Sequence, residues 1–446
     1  MKNLVRNLAF GLLLFAVAAS TLLAQQPTIN NFRPYDKTGI GVFESPKDKQ
    51  TKFDGLKLRF GAGFTQQYQL LNHSNAAYDS SVYKLKSITG GFGTAMANLN
   101  MDVQLEDGIR LNVTTYLSAR HHNEAWVKGG FIQFDNLSFL GVNALDDIMK
   151  YLTIRVGHME VNYGDAHFRR SDGGSTLQNP FMDNYIIDGY ATEIGADFLF
   201  RTGGFLALAG VTNGAIKGSV DAVNQTAIDK DTSKSPAFLF KLGYDDKIGD
   251  NMRLRVTGSG YMISSAQSNT LFWGDRTGSN YWMVMEPTSA SYTANAWSGR
   301  LNPGLSDKVT AFQINAFWKM SGFEFFGTYE TAKGRNANDK DPADVTGKTA
   351  LERSFNQIAA DVLYRFGAKE NVYVGARYNM VKGNFITSSI TEQNVSRIAI
   401  AAGWFLTDNI MVKGEYVTQT YKDFPLKNLY AGGKFDGVVF EAAVGF

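Results

Sequence analysis

The chain of 446 residues contains no cysteine, which excludes a disulfide framework, a thiolate metal site and a cysteine nucleophile. Proline is scarce, with 9 residues, and histidine scarcer, with 5. Neither sign of charge is in excess: 44 Lys plus Arg stand against 42 Asp plus Glu, a net of +2, so electrostatics gives no support to nucleic acid as a partner. After residue 24 no window approaches the ~18 uninterrupted apolar residues that a membrane-spanning helix needs. What the chain has in quantity is glycine (45), phenylalanine (32) and tyrosine (20), with 44 % apolar and 19 % charged residues. Strands and tight turns use that mixture; a disordered chain does not.

Residues 1–24 carry Lys2 and Arg6, an apolar run from Leu8 to Ala19 and small residues before the polar Gln25 and Gln26. This is the order of a secretory signal peptide, with cleavage expected after Ala24. Residues 25–54 are short and polar, with Lys47, Asp48 and Lys49, and form an N-terminal segment outside the repeating pattern that follows.

From Leu56 the even positions read Leu56, Leu58, Phe60, Ala62 and Phe64, and the odd ones Lys57, Arg59, Gly61, Gly63 and Thr65. Strand side chains alternate faces, so one face is apolar and the other polar. Ala97 to Leu105 and Ile109 to Leu117 repeat the pattern around Glu106-Asp107-Gly108, where Asp-Gly signals a hairpin. Continued along the chain, the alternation predicts sixteen strands: 55–70, 83–105, 109–121, 125–135, 151–161, 189–200, 204–213, 237–244, 252–263, 308–320, 322–330, 353–366, 371–381, 394–405, 409–420 and 430–446. Short connections alternate with long ones, and a short helix is expected near Ala144 to Met149. The expected fold is all-β, a transmembrane antiparallel β-barrel over residues 55–446 with short periplasmic turns and long extracellular loops. Tyr244, Trp318, Tyr364, Phe366, Trp404 and Phe446 at one end of the apolar face, and Tyr329, Tyr378 and Tyr416 at the other, fit the aromatic girdles of a membrane interface.

The signal peptide, the segment from Arg155 to Arg170 and the last strand from Val438 to Phe446 together resemble sixteen-stranded outer-membrane porins of Gram-negative bacteria, in particular those related to the phosphate-selective group. The terminal Phe446, with apolar residues at every second position before it, resembles the sorting signal read by the barrel-assembly machinery. The resemblance implies the cell outer membrane as location, its lipid and lipopolysaccharide as surroundings, and a homotrimer. It also implies that the loop at 163–188 folds inward as a constriction, bringing Asp165, Arg169, Arg170, Asp172 and Asp183 to the narrowest point.

Positions in the polar phase give thirteen cations for the lumen: Lys57, Arg59, Arg110, Arg120, Arg155, Lys241, Arg253, Arg255, Lys319, Arg365, Arg377, Arg397 and Lys413. Eight carboxylates oppose them: Asp102, Glu193, Asp197, Glu324, Glu330, Asp361, Glu415 and Glu441. Fixed charge in a water-filled pore sorts ions by sign, so a mild preference for small anions is expected. Cross-strand bracing of a hydrated wall is the plainer use of the same residues. His158, Glu160, Asp165 and His167 match no metal-binding spacing, and no Gly-x-Ser-x-Gly is present, so neither a metal nor an enzyme activity is implied. Passive diffusion of small hydrophilic solutes and ions needs no cofactor. The alternative is a non-conducting surface barrel or adhesin, with its information in loops such as 264–307.

Overall fold

The computed structural model describes residues 26–47, 53–118, 121–171, 176–222, 225–226, 228, 230, 233–274, 279, 281–296, 298–347, 349–387 and 391–446, without the side chains of 117–118 and 121–125. The expected signal peptide, Arg120 and Asp172 lie outside these residues. The strands are β1 (Lys57–Ser74), β2 (Gly91–Phe92), β3 (Met96–Glu106), β4 (Ile109–Ser118), β5 (His121–Phe134), β6 (Leu152–Glu160), β7 (Thr192–Thr202), β8 (Phe205–Thr212) and β9 (Ala237–Ile248). They continue with β10 (Met252–Ile263), β11 (Lys308–Met320), β12 (Phe323–Lys340), β13 (Ala350–Phe366), β14 (Val372–Gly383), β15 (Gln393–Phe405), β16 (Ile410–Lys422) and β17 (Lys434–Gly445). β2 is a two-residue piece that pairs with β1 at Tyr68↔Phe92, above the β1–β3 ladder. The other sixteen pair antiparallel with their neighbours, and β1 closes on β17 from Gly63↔Gly445 to Ser74↔Lys434. Closure leaves no sheet edge open.

Turns of two to five residues join strands at one end, as at Gly203-Gly204 and Ser321-Gly322. The long connections 161–191, 213–236 and 264–307 lie at the other end. The exception at the turn end is 135–151, which carries helix α1 (Asn143–Met149), one residue longer at its start than the helix expected from sequence. Along each strand the apolar phase is exposed and the other phase buried: Ile358, Val362 and Phe366 lie outside, while Gln357, Asp361 and Arg365 lie inside. An outer wall with Phe312, Ile314, Ile398, Ile400 and Phe440 all exposed is far larger than the apolar patch a water-soluble surface carries. No helix among the described residues is long and apolar enough to cross a membrane.

Two expectations change. The strand expected at 83–105 begins its continuous ladder only at Met96; Leu85 instead bridges to Pro287 in the 264–307 loop. β12 runs to Lys340, ten residues past the expected end, and pairs with β13 from Ala350 onward as a hairpin rising out of the wall. There the residues are polar on both faces, so alternation gives no signal.

Candidate functional site: the barrel interior

The inward phase is not uniformly polar. On β13–β17 it presents Phe355, Leu363, Tyr373, Val381, Val395, Phe405, Val417 and Val439, all buried. Their cover comes from the long loops, through Leu177, Phe181, Met182, Ile186, Leu271, Phe272 and Trp282. Burial of these side chains drives the loops inward at roughly 25 cal/mol per Å² of apolar surface. Inward-facing polar groups then fix the loop backbone. Met182 N–H donates to Glu415 (2.8 Å), Ile187 N–H to Gln357 (3.0 Å) and Ile186 N–H to Asn379 (2.6 Å). Lys413 Nζ donates to the carbonyls of Thr176, Asn179 and Phe181 at 3.2, 2.9 and 2.8 Å. The second loop docks on the first, with Leu301 N–H donating to Ile186 O at 2.6 Å.

The N-terminal segment enters from the turn end. Lys37 N–H donates to Asp408 O (2.9 Å), and Lys47 Nζ to Asp135 O (2.9 Å), so the segment crosses the mouth between the β15–β16 and β5–β6 connections. Between those anchors Phe43 meets Phe168 and Phe317 edge-on, with ring centroids 5.8 and 5.3 Å apart. Glu44 and Asp165 clasp Arg255 from two sides at 2.7–2.9 Å, and Lys241 bonds Asp165 at 2.9 Å. Burial opposes ionisation of Glu44 and Asp165, but Arg255 and Lys241 outweigh it and hold both carboxyls well below their usual range. At Asp183 burial wins over Arg397, 3.3 Å away, and the carboxyl is pushed up to about 6.

Each described cation among those expected for the lumen has a carboxylate partner. Arg59 pairs with Asp102, Arg110 with Asp135, Arg155 with Asp197, Arg253 with Asp245 and Lys57 with Asp54. Arg365 pairs with Glu324, Arg377 with Asp361, Arg397 with Asp183, Lys319 with Glu370 and Lys413 with Glu441. The partners missing from the sequence tally come from the N-terminal segment (Glu44, Asp54), the inward loop (Asp165, Asp183) and strand ends or turns (Asp135, Asp245, Glu370). The excess of thirteen over eight therefore does not survive as free positive charge. The loop cations are engaged too: Arg169 donates to Glu324 (2.7 Å) and Arg170 to Asp188 (2.7 Å).

With the β11–β17 side filled, the interior keeps a chamber of about 200 Å³ against β3–β7. Asn98, Asn100, Asn112, Thr114, Gln133 and Thr153 line one side; Phe32, Arg33, Tyr35 and Glu44 of the N-terminal segment and Glu160, His167, Phe168 and Tyr190 line the other. Of the residues expected to line the pore or the constriction, only Arg155 lines this chamber; His158, Glu160 and His167, weighed as metal ligands, line it too. Lys128 lies opposite Tyr190, its Nζ 5.3 Å from the ring centroid. Strict alternation would aim Lys128 at lipid. The register shift between Thr114 and Thr115 inserts it as a bulge and turns it inward, which no periodicity reveals. His167 bonds Glu160 and Asn162, and His158 bonds Thr192; among the described residues no three such side chains form a metal-binding group.

No protein-family model and no curated protein matches the sequence. Among solved structures the chain is similar to the outer-membrane channel DcaP of Acinetobacter baumannii (TM-score 0.52, 11 % identity, 89 % of this chain and 99 % of that one). It is similar also to the anion-selective porin of Comamonas acidovorans (TM-score 0.51, 11 % identity, 88 % of this chain and 100 % of that one). At this identity the likeness concerns fold: a closed sixteen-stranded barrel of the kind outer-membrane porins have.

Proposed function

We propose that the chain is a passive outer-membrane channel for small hydrophilic solutes and ions, with a mild preference for anions. The observation that carries this reading is the polar chamber along β3–β7, with Arg33, Lys128 and Arg155 on its walls, inside a cylinder whose outer wall is apolar. Solute moves down its own gradient; no catalytic step or cofactor is invoked. The anion preference arises at this chamber and not from the whole lumen, where pairing neutralises the cations. Lipid and lipopolysaccharide cover the outer wall, Phe446, half-exposed at the turn end, serves the assembly machinery, and the barrels associate as a homotrimer.

Purified protein in a planar lipid bilayer tests the reading. Stepwise conductance and a reversal potential displaced toward the anion in a salt gradient are expected. Absence of steps would remove the channel and leave the second reading, a non-conducting surface barrel or adhesin. That alternative draws on the tight filling of the β11–β17 side by loops 161–191 and 264–307.

A further inference from the structure

Among the charged groups on the chamber wall, Arg33 is held differently from Arg155, Glu44 and Glu160. Arg155 is forked onto Asp197, Glu44 onto Arg255, and Glu160 bonds His167. Arg33 instead donates Nε–H to Val42 O (3.0 Å) and Nη2–H to Phe168 O (3.0 Å) and to the Gln178 side chain, all neutral acceptors. Its guanidinium lies 4.8 Å from the centroid of the Phe168 ring. Among the described residues it forms no ion pair; Glu160 and Glu44 act on it through their field alone, each being bonded already, to His167 and to Arg255. Neutral acceptors fix the direction of a guanidinium without cancelling its charge. Because Val42 belongs to the N-terminal segment and Phe168 and Gln178 to the inward loop, the cation sits where the two inserted segments meet. Gln178 Nε2–H returns a bond to Pro34 O (3.3 Å) at the same junction.

We propose that Arg33 is the specificity-determining cation of this channel, so that the N-terminal segment sets which small ions the chamber favours. The ligands are small inorganic anions and carboxylates. Lys128 and Arg155 share the wall, but Arg155 is bidentately compensated and Lys128 leans on the Tyr190 ring. This inference rests on the channel reading above.

The test is the reversal potential of single channels in a potassium chloride gradient for the full-length protein and the variants Arg33→Gln, Arg33→Lys and Lys37→Gln. For Arg33→Gln the anion-to-cation permeability ratio should fall about fourfold: a unit charge roughly 10 Å from the ion path in water favours the anion about twofold and disfavours the cation about twofold. Arg33→Lys should restore most of the ratio. Lys37→Gln, on the same segment but bonded to Lys369 O and Asn371 at the turn end, should leave it unchanged. An unaltered ratio in Arg33→Gln overturns the proposal. So does a loss that Arg33→Lys fails to rescue, since it would trace selectivity to packing of the segment. A wild-type protein that conducts nothing defeats the channel reading itself and the inference with it, a result distinct from a conducting, unaltered Arg33→Gln.

Discussion

Glu324 is fully buried and serves two guanidiniums, Arg169 of the inward loop at 2.7 Å and Arg365 of β13 at 2.9 Å. Its neutralisation strands both charges away from water. Breaking such a group typically costs about 3–5 kcal/mol, mostly the penalty of the uncompensated partner. Glu324→Gln should therefore lose a large part of that stability in urea unfolding from detergent micelles. Glu352 also meets two cations, Lys308 and Lys333, but those side chains are 42 % and 65 % exposed. Glu352→Gln should change stability by less than about 1 kcal/mol. Equal effects of the two substitutions would contradict the burial of Glu324 between the inward loop and the wall. Residue type and phase alone placed Arg365, Glu324 and Arg377 on the inward face. They gave no hint that Arg169 would reach Glu324, because a loop has no period from which a partner is deduced.

At the scale of elements, the inward loop starts at a fixed bend. Gly164 has a φ of +68°, and a Cβ added there would fall inside the Gln313 side chain of β11. Gly164→Ala should displace the loop from β11, lower the unfolding midpoint and widen the conductance distribution, whereas Gly218→Ala, with nothing within 4 Å, should be silent in both measurements. Further along, Lys413 is the main tie between β16 and the loop carbonyls of Thr176, Asn179 and Phe181. Lys413→Met removes these bonds and leaves Glu441, 2.8 Å away, without its cation. We expect higher unit conductance and more frequent current fluctuations, read in the same bilayers; unchanged traces would mean that the loop is held by its apolar contacts alone. The wall elements were legible because alternation and turn residues act within ten or so positions. The inserted segments were not: the N-terminal segment carries no period, and its place depends on Glu44 meeting Arg255 across 211 positions. The bulge at Lys128 and the chamber it lines were hidden for a related reason, since one extra residue reverses the phase on which the reading depends.

At the scale of the whole molecule, the same sixteen-fold alternation that makes an inside also makes an outside, and the two obey opposite rules for charge. Ile400 is 59 % exposed and stands between Ala376 of β14 and Tyr416 of β16, four residues from Trp404 toward the turns and six from Asn394 toward the loops. That places it near the middle of the apolar band, and with it Tyr416, expected from sequence at the girdle of the loop end. Asn394 faces Lys382 and Lys422 in the same ladders, where the band has already given way to charge. In a lipid bilayer, an arginine at the midplane of a barrel wall costs about 2–4 kcal/mol and one near the interface about 0–1 kcal/mol. Ile400→Arg should lower unfolding stability in phospholipid vesicles by the larger amount and Asn394→Arg by the smaller. Detergent micelles, which deform around a charge, should narrow the gap between them. If both substitutions cost the same in vesicles, the wall would be meeting water at both heights, and the membrane placement on which the channel reading depends would fall.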